Sequence, residues 1–209
     1  MKNHRGYMFS LLFYIIASFG VSLTIKASIG VSAVNSTIVA LSEVLSYKVG
    51  TVMIAINLLF LVGYIFLTKF KYPFKYVLQG IFFLFFGSFV NLYLYQILIH
   101  IEASSYFARL LLLVFGIIIT GLSVGMVVHY NLITFPIESF CMELENLTNR
   151  KFAFYRYGVD VLSAITSISL SISFNLPLFL REGTILSIIL LTASMSFSKS
   201  KMEKSFNKI

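Results

Sequence analysis

The sequence predicts an all-α membrane protein: six transmembrane helices forming two inverted three-helix repeats, each with a short amphipathic or re-entrant helix after its first span. Three observations predict it. Six stretches without a charged residue occupy 6–25, 49–68, 76–99, 110–128, 161–180 and 183–198. A helix needs about 20 mostly apolar residues to cross the roughly 30 Å hydrocarbon core of a bilayer. With the N-terminus in the cytoplasm, 12 of the 16 Lys and Arg residues fall on the inner face, as the positive-inside rule requires of six spans. Finally, one shift of 103 positions superimposes Ala33 on Pro136, Asn57 on Asp160 and Gly80 on Gly183, together with the three apolar stretches of each half.

The chain reads as a single membrane domain over 1–209, with a first repeat over about 6–100, a second over about 108–199 and a basic cytoplasmic tail over 199–209. Its first apolar stretch lacks a small-residue cleavage pattern and is expected to be a retained first span. Segment 31–47 follows, preceded by Gly30, with Val34, Ile38, Leu41 and Leu45 on one helical face. Spans two and three flank a basic loop holding Lys69, Lys71 and Lys75.

The second half opens with the span over 110–128, and segment 134–149 then repeats the amphipathic pattern with Ile137, Cys141 and Leu144. Pro136 falls in its first turn, where a missing N–H costs least. Both short segments are too polar to cross as full spans. They read either as helices lying on the interface or as half-helices inserted from opposite sides, offering N–H groups to a ligand. Because each half holds three spans, the second enters the membrane from the opposite face, the inverted duplication found in many secondary transporters.

Composition mainly excludes. With 58 % hydrophobic and 11 % charged residues, the chain has too little polar material to coat a soluble globule. The net charge of +8 comes from residues at span ends, so it reads as an orientation and headgroup signal and not as a nucleic-acid surface. Cys141 is the sole cysteine, and His4, His100 and His129 stand at different span ends without metal-ligand spacing. No Ser/His/Asp or Cys/His set and no phosphate-cradling glycine loop is present, so neither an enzyme nor a cofactor is expected.

The run G-V-S-L-T-I-K-A-S-I-G-V-S-A-V-N over 20–35 resembles the first-repeat signature G-V-A-L-x-I-K-A-x-L-G-x-S-P-x-D of the bacterial YczE/YyaS/YitT membrane proteins. Gly50–Thr51 and the weaker echoes Pro136–Ile–Glu138 and Gly183–Thr184–Ile185 are similar to later features of that family. The resemblance covers nearly the whole chain, although only the first run is specific. It implies a small multi-span protein of the bacterial inner membrane, from a family whose members mostly lack an assigned activity. The chain departs from the pattern at Ala33 and Asn35, whereas the second repeat keeps Pro136 and has Glu138.

Ionisable groups inside spans are costly, by roughly 2.5–3.5 kcal/mol at the centre on insertion scales, and each needs a reason. Asp160 stands about 13 Å along a helix from the basic edge at Lys151, near the midplane. Arg156, one turn earlier, is close enough to pair with it. The alternatives are a self-satisfied ion pair or a carboxylate facing a central cavity, with Asn57 at the matching depth of the first repeat. Lys26 and His129 end the first spans of the two halves, where Lys26 either snorkels to headgroups or neutralises an anionic ligand. Glu138 opens the second short segment, as a cap on the helix dipole or as a substrate or proton contact, and Asn35 holds the matching place in the first. Gln79, Asn91 and Gln96 are expected to bond between helices. Glu143 and Glu145 are expected on a solvated face, and Gly121 and Gly125 to pack the first and fourth spans.

These features favour a secondary transporter or permease for an unidentified small molecule with a polar midplane site. The alternative is a membrane-embedded regulatory or scaffold protein acting through a partner. The expected surroundings are the lipid bilayer of the bacterial inner membrane, with both termini cytoplasmic; a homo-oligomer or protein partner stays open.

Overall fold

The computed structural model describes residues 2–101, 103–129, 133–148, 150–191 and 194, and those residues are helical with no strand among them. In chain order the helices are α1 (Lys2–Ala27), α2 (Ala33–Leu45), α3 (Val49–Leu67), α4 (Pro73–Leu92), α5 (Tyr106–His129), α6 (Pro136–Leu147), α7 (Phe152–Ser173) and α8 (Glu182–Leu191). The last turn of α4 widens into a π-helical stretch, Tyr93–Ile97. Among the described residues four helices are long and apolar enough to cross a membrane: Gly6–Ala27, Val49–Leu67, Pro73–Ile97 and Tyr106–Val127. Large apolar side chains such as Leu59, Phe66, Phe107 and Phe115 point outward, a surface suited to lipid and not to water. The described fold is therefore all-α, with four helices suited by length and composition to a membrane.

Local chemistry sets the helix ends. Ser32 caps α2, its Oγ accepting from the Asn35 N–H, and Ser46 closes it in the left-handed conformation at φ 54°. Proline opens α4 and α6 at the first helical position. At the start of α7 the exposed Glu145 accepts from the Phe152 N–H at 3.0 Å, so this carboxylate caps a helix, beyond the solvated role expected of it.

The fifth apolar stretch is displaced from its expected place. Hydropathy points to 161–180, whereas α7 runs from Phe152 to Ser173. Asn175 turns left-handed at φ 52°, and Pro177 cannot donate to a continuing helix, so the apolar residues after Ser173 form a loop. Conversely, Arg156 and Asp160 enter α7 as a pair, which keeps its polar first turns helical. α7 has 22 residues but is too polar to join the four apolar spans, and α8 is a shorter apolar helix.

Two packing relations place the site. α1 and α5 make the most extensive helix contact and run antiparallel. Gly20 meets Gly116 and Thr120, Ala27 and Ile29 cluster with Leu113 and Ile117, and Tyr14 reaches Ile133 beyond the end of α5. The short helices pack on the opposite half of the chain: α2 lies on α7, where Thr37 Oγ1 donates to the Ser163 carbonyl at 2.6 Å. α6 lies on α3, where Phe140 packs on Phe60 and Gly63. The sequence spacing reads Gly121 as a contact of the first span, but it packs on Ser194 and Leu191, and Gly20 with Gly116 makes the α1–α5 contact instead.

Candidate functional site

The site forms where the chain enters α6. Phe135 leads into the helix, and its ring stacks on that of Tyr14 from α1 with centroids 4.4 Å apart. The Tyr14 hydroxyl donates to the Ile133 carbonyl at 3.0 Å, which holds the linker against α1. From α4, Gln79 is fully buried, and its Nε2 donates to the Thr134 carbonyl at 3.0 Å and to Ser139 Oγ at 2.6 Å. Thr134 Oγ1 and Ser139 Oγ are 2.7 Å apart. A linker that lacks helical hydrogen bonds is thus satisfied by side chains from two other helices.

Glu138 occupies the first turn of α6, and Arg156 stands between it and Asp160. Arg156 Nη1 lies 2.6 Å from Asp160 Oδ1, while its Nε is 3.9 Å from Glu138 Oε1. The Arg156, Glu138 and Asp160 side chains are 26 %, 24 % and 30 % exposed. One guanidinium therefore faces two carboxylates, and the shorter contact commits it to Asp160. Glu138 Oε2 and Gln79 Oε1 are shut off from solvent without a hydrogen-bond partner among the described residues. A buried carboxylate oxygen in that condition carries a desolvation cost that something must offset.

Three of the seven predicted site residues, Asp160, Arg156 and Glu138, thus come together. Asn57 is buried, but its Nδ2 donates to the Met53 carbonyl at 3.1 Å within its own helix. Asn35 half-buries at the first turn of α2, where its N–H is capped by Ser32. Lys26 Nζ reaches the Ile99 carbonyl at 3.4 Å. His129 is the last residue of α5, and its side chain lies outside the described residues. Glu138 makes no capping hydrogen bond; the guanidinium of Arg156 draws it sideways instead.

Gln79 and Asn91 do bond between helices: Asn91 Oδ1 accepts from the Gly50 N–H at 2.8 Å, and its Nδ2 donates to Thr51 Oγ1 at 3.1 Å. Gln96 is exposed. Tyr14 and Thr134 escaped the sequence reading. A tyrosine at mid-depth of an otherwise apolar first span was the signal for Tyr14, whereas Thr134 gave none.

Over its first ten residues α2 is largely buried, including Ala33, Val34, Thr37, Ile38, Val39 and Ala40, so this part packs within the protein, while Glu43 and Leu45 at its end are exposed. A cavity of about 570 Å³ opens at the far end of α7, lined by Ile168, Ser171, Asn175 and Leu178 among others and by none of the predicted site residues. Among the described residues no three His, Cys, Asp or Glu side chains approach closely enough to hold a metal ion.

The model of a family of unknown function, DUF6198, matches residues 4–200. The uncharacterized protein YyaS of Bacillus subtilis (strain 168) is 27 % identical over 185 residues, covering 88 % of this chain and 87 % of that relative. That relative is one of the names carried by the resemblance in segment 20–35. No solved structure matches.

Proposed function

The chain belongs to this family of unknown function, DUF6198, and on that premise we propose that it is a small secondary transporter or permease of the bacterial inner membrane. It is a carrier and not an enzyme. Its two halves form an inverted repeat, and they rock about the polar cluster at the entry to α6, with both termini in the cytoplasm. The observation that carries this reading is the reciprocal exchange of short helices: α2 of the first half packs on α7 of the second, and α6 of the second packs on α3 of the first. The starts agree with the repeat, since Ala33 and Pro136, like Val49 and Phe152, are each 103 positions apart. The antiparallel course of α1 and α5 is what two upside-down modules require.

The burial of α2 supports partly inserted half-helices over interfacial ones. The charges support a one-sided site. At the positions matching Glu138, Arg156 and Asp160 the first half has Asn35, Met53 and Asn57, so only one half carries ionisable chemistry. Asp160, Arg156 and Glu138 are the residues on which substrate or coupling-ion binding rests, while Asn57, Asn35, Lys26 and His129 are peripheral.

The test is native purification followed by mass spectrometry of bound small molecules, then uptake of the identified compound into proteoliposomes by wild type and Asp160→Asn. The reading expects a bound metabolite, and flux lost in the variant with membrane insertion intact. A reproducibly co-purifying protein and no bound metabolite would instead support the regulatory or scaffold alternative.

A further inference from the structure

We propose that the entry to α6 binds a small monovalent cation, with Glu138 Oε2 as its principal ligand and Gln79 Oε1 as a second. The inference deepens the transport reading and rests on it for its cellular purpose, but the binding is testable without any transported substrate.

Arg156 is the cation nearest Glu138, and at 2.6 Å from Asp160 against 3.9 Å from Glu138 it is spent mainly on the former. The three side chains carry a formal charge of −1, so the cluster has no capacity left for an anion. Nor are the other predicted anion-binding features free, because Lys26 bonds to the Ile99 carbonyl and the α2 first turn is capped by Ser32.

What is left over is acceptor capacity. Among the described residues two buried side-chain oxygens lack a partner, Glu138 Oε2 and Gln79 Oε1. The amide of Gln79 cannot be turned to remove the second. Its nitrogen faces the Thr134 carbonyl at 3.0 Å, and a carbonyl only accepts, so the oxygen must be the atom left over. Covalent geometry keeps that oxygen at the same turn, because the nitrogen beside it bonds to Ser139, the neighbour of Glu138. The hydroxyls of Thr134 and Ser139 add further oxygens at 2.7 Å from each other.

Two orphaned oxygens at one turn of α6, one of them on a carboxylate and the other on an amide flanked by the Ser139 hydroxyl, call for a positive charge and not for a donor-rich solute. Hard monovalent cations take oxygen ligands of this kind, and broken helices at mid-membrane are where coupling ions are held in carriers. The charged or titratable groups facing Glu138 are Arg156 and Asp160 from α7, Tyr14 from α1 and Cys141 from its own helix. α3 meets α6 through Phe60 and Gly63, and α4 contributes the uncharged Gln79. Lys75 and Tyr64 sense Glu143 further along α6.

The experiment is equilibrium binding of radioactive sodium to the full chain in lipid nanodiscs, with unlabelled Na⁺, K⁺, Li⁺ and acid as competitors and choline chloride holding ionic strength. Saturable sodium binding is expected, displaced by an alkali cation. It should be lost in Glu138→Gln, weakened about tenfold in Gln79→Leu and retained in the exposed control Glu43→Gln. Thermal unfolding in NaCl against choline chloride guards against variants that fail to fold: wild type should be stabilised by Na⁺, and folded Glu138→Gln should not. Absence of saturable sodium binding, or binding that survives Glu138→Gln, overturns the proposal. So does a response to acid alone, which would make the occupant a proton. A positive binding result with no flux in proteoliposomes would leave the cation site standing and remove the transport reading.

Discussion

Gly20 and Gly116 stand face to face where α1 crosses α5. A Cβ built on Gly20 would lie 2.7 Å from the Gly116 carbonyl oxygen, and one on Gly116 would lie 2.6 Å from the Gly20 carbonyl oxygen. The two backbones approach as closely as helices in lipid can, since van der Waals packing replaces the hydrophobic drive that water would supply. This contact couples the two halves of the chain.

Gly20→Val and Gly116→Val should each therefore destabilise the fold, by about 1–3 kcal/mol as overpacking changes do, because at each position one blocking atom is the facing backbone carbonyl oxygen, which cannot rotate away. Thermal unfolding in detergent or nanodiscs checks this. Gly158→Ala is the control, since nothing lies within 4 Å of its position, and it should be neutral or stabilising by helix propensity.

The Tyr14 hydroxyl anchors the linker into α6 through the Ile133 carbonyl. Tyr14→Phe keeps the ring stacked on Phe135 but strands a buried carbonyl, at a cost of about 1–3 kcal/mol. The same assay should show the loss. Tyr14→Leu should cost more, because the ring contacts with Phe82, Phe86 and Phe135 go as well.

Arg156 separates two carboxylates. Arg156→Met leaves Glu138 and Asp160 as unneutralised like charges and should destabilise more than Asp160→Asn. The double variant Arg156→Met with Asp160→Asn reproduces the Met and Asn of the first half and should recover part of the loss, a coupling that a double-mutant cycle measures. Since these side chains are about a quarter exposed, the coupling should be on the order of 1 kcal/mol and not the full value of a dry ion pair.

Much of this architecture was legible in the residues. The 103-residue shift read from Ala33 and Pro136 marks the first residues of α2 and α6, and the same shift joins the starts of α3 and α7. The fifth apolar stretch misses the start of α7 at Phe152 because hydropathy sums side chains one at a time. It therefore rewarded the apolar loop 176–180 and penalised Arg156 and Asp160, which satisfy each other. Symmetry suggests a central polar site shared by Asn57 and Asp160, whereas Asn57 Nδ2 donates to the Met53 carbonyl of its own helix. Equal depth along two helices does not fix the direction in which each side chain faces. The orphaned oxygens of Glu138 and Gln79 had no signature at all, because an absent partner is visible only once every neighbour has been placed.

The native Cys141 is fully buried, and a thiol without access to solvent reacts slowly with hydrophilic reagents. The wild-type chain should therefore resist a membrane-impermeant maleimide until it is denatured, and so can serve as its own silent background.

That background permits the most direct measurement of the inverted arrangement: impermeant-maleimide labelling of single cysteines in intact cells and in everted vesicles. Lys71→Cys and Lys151→Cys should both label only from the cytoplasmic side, and Tyr47→Cys and Ser104→Cys only from outside. If positions 71 and 151 label from opposite sides, the two halves are not inverted copies, and the carrier built on them is contradicted.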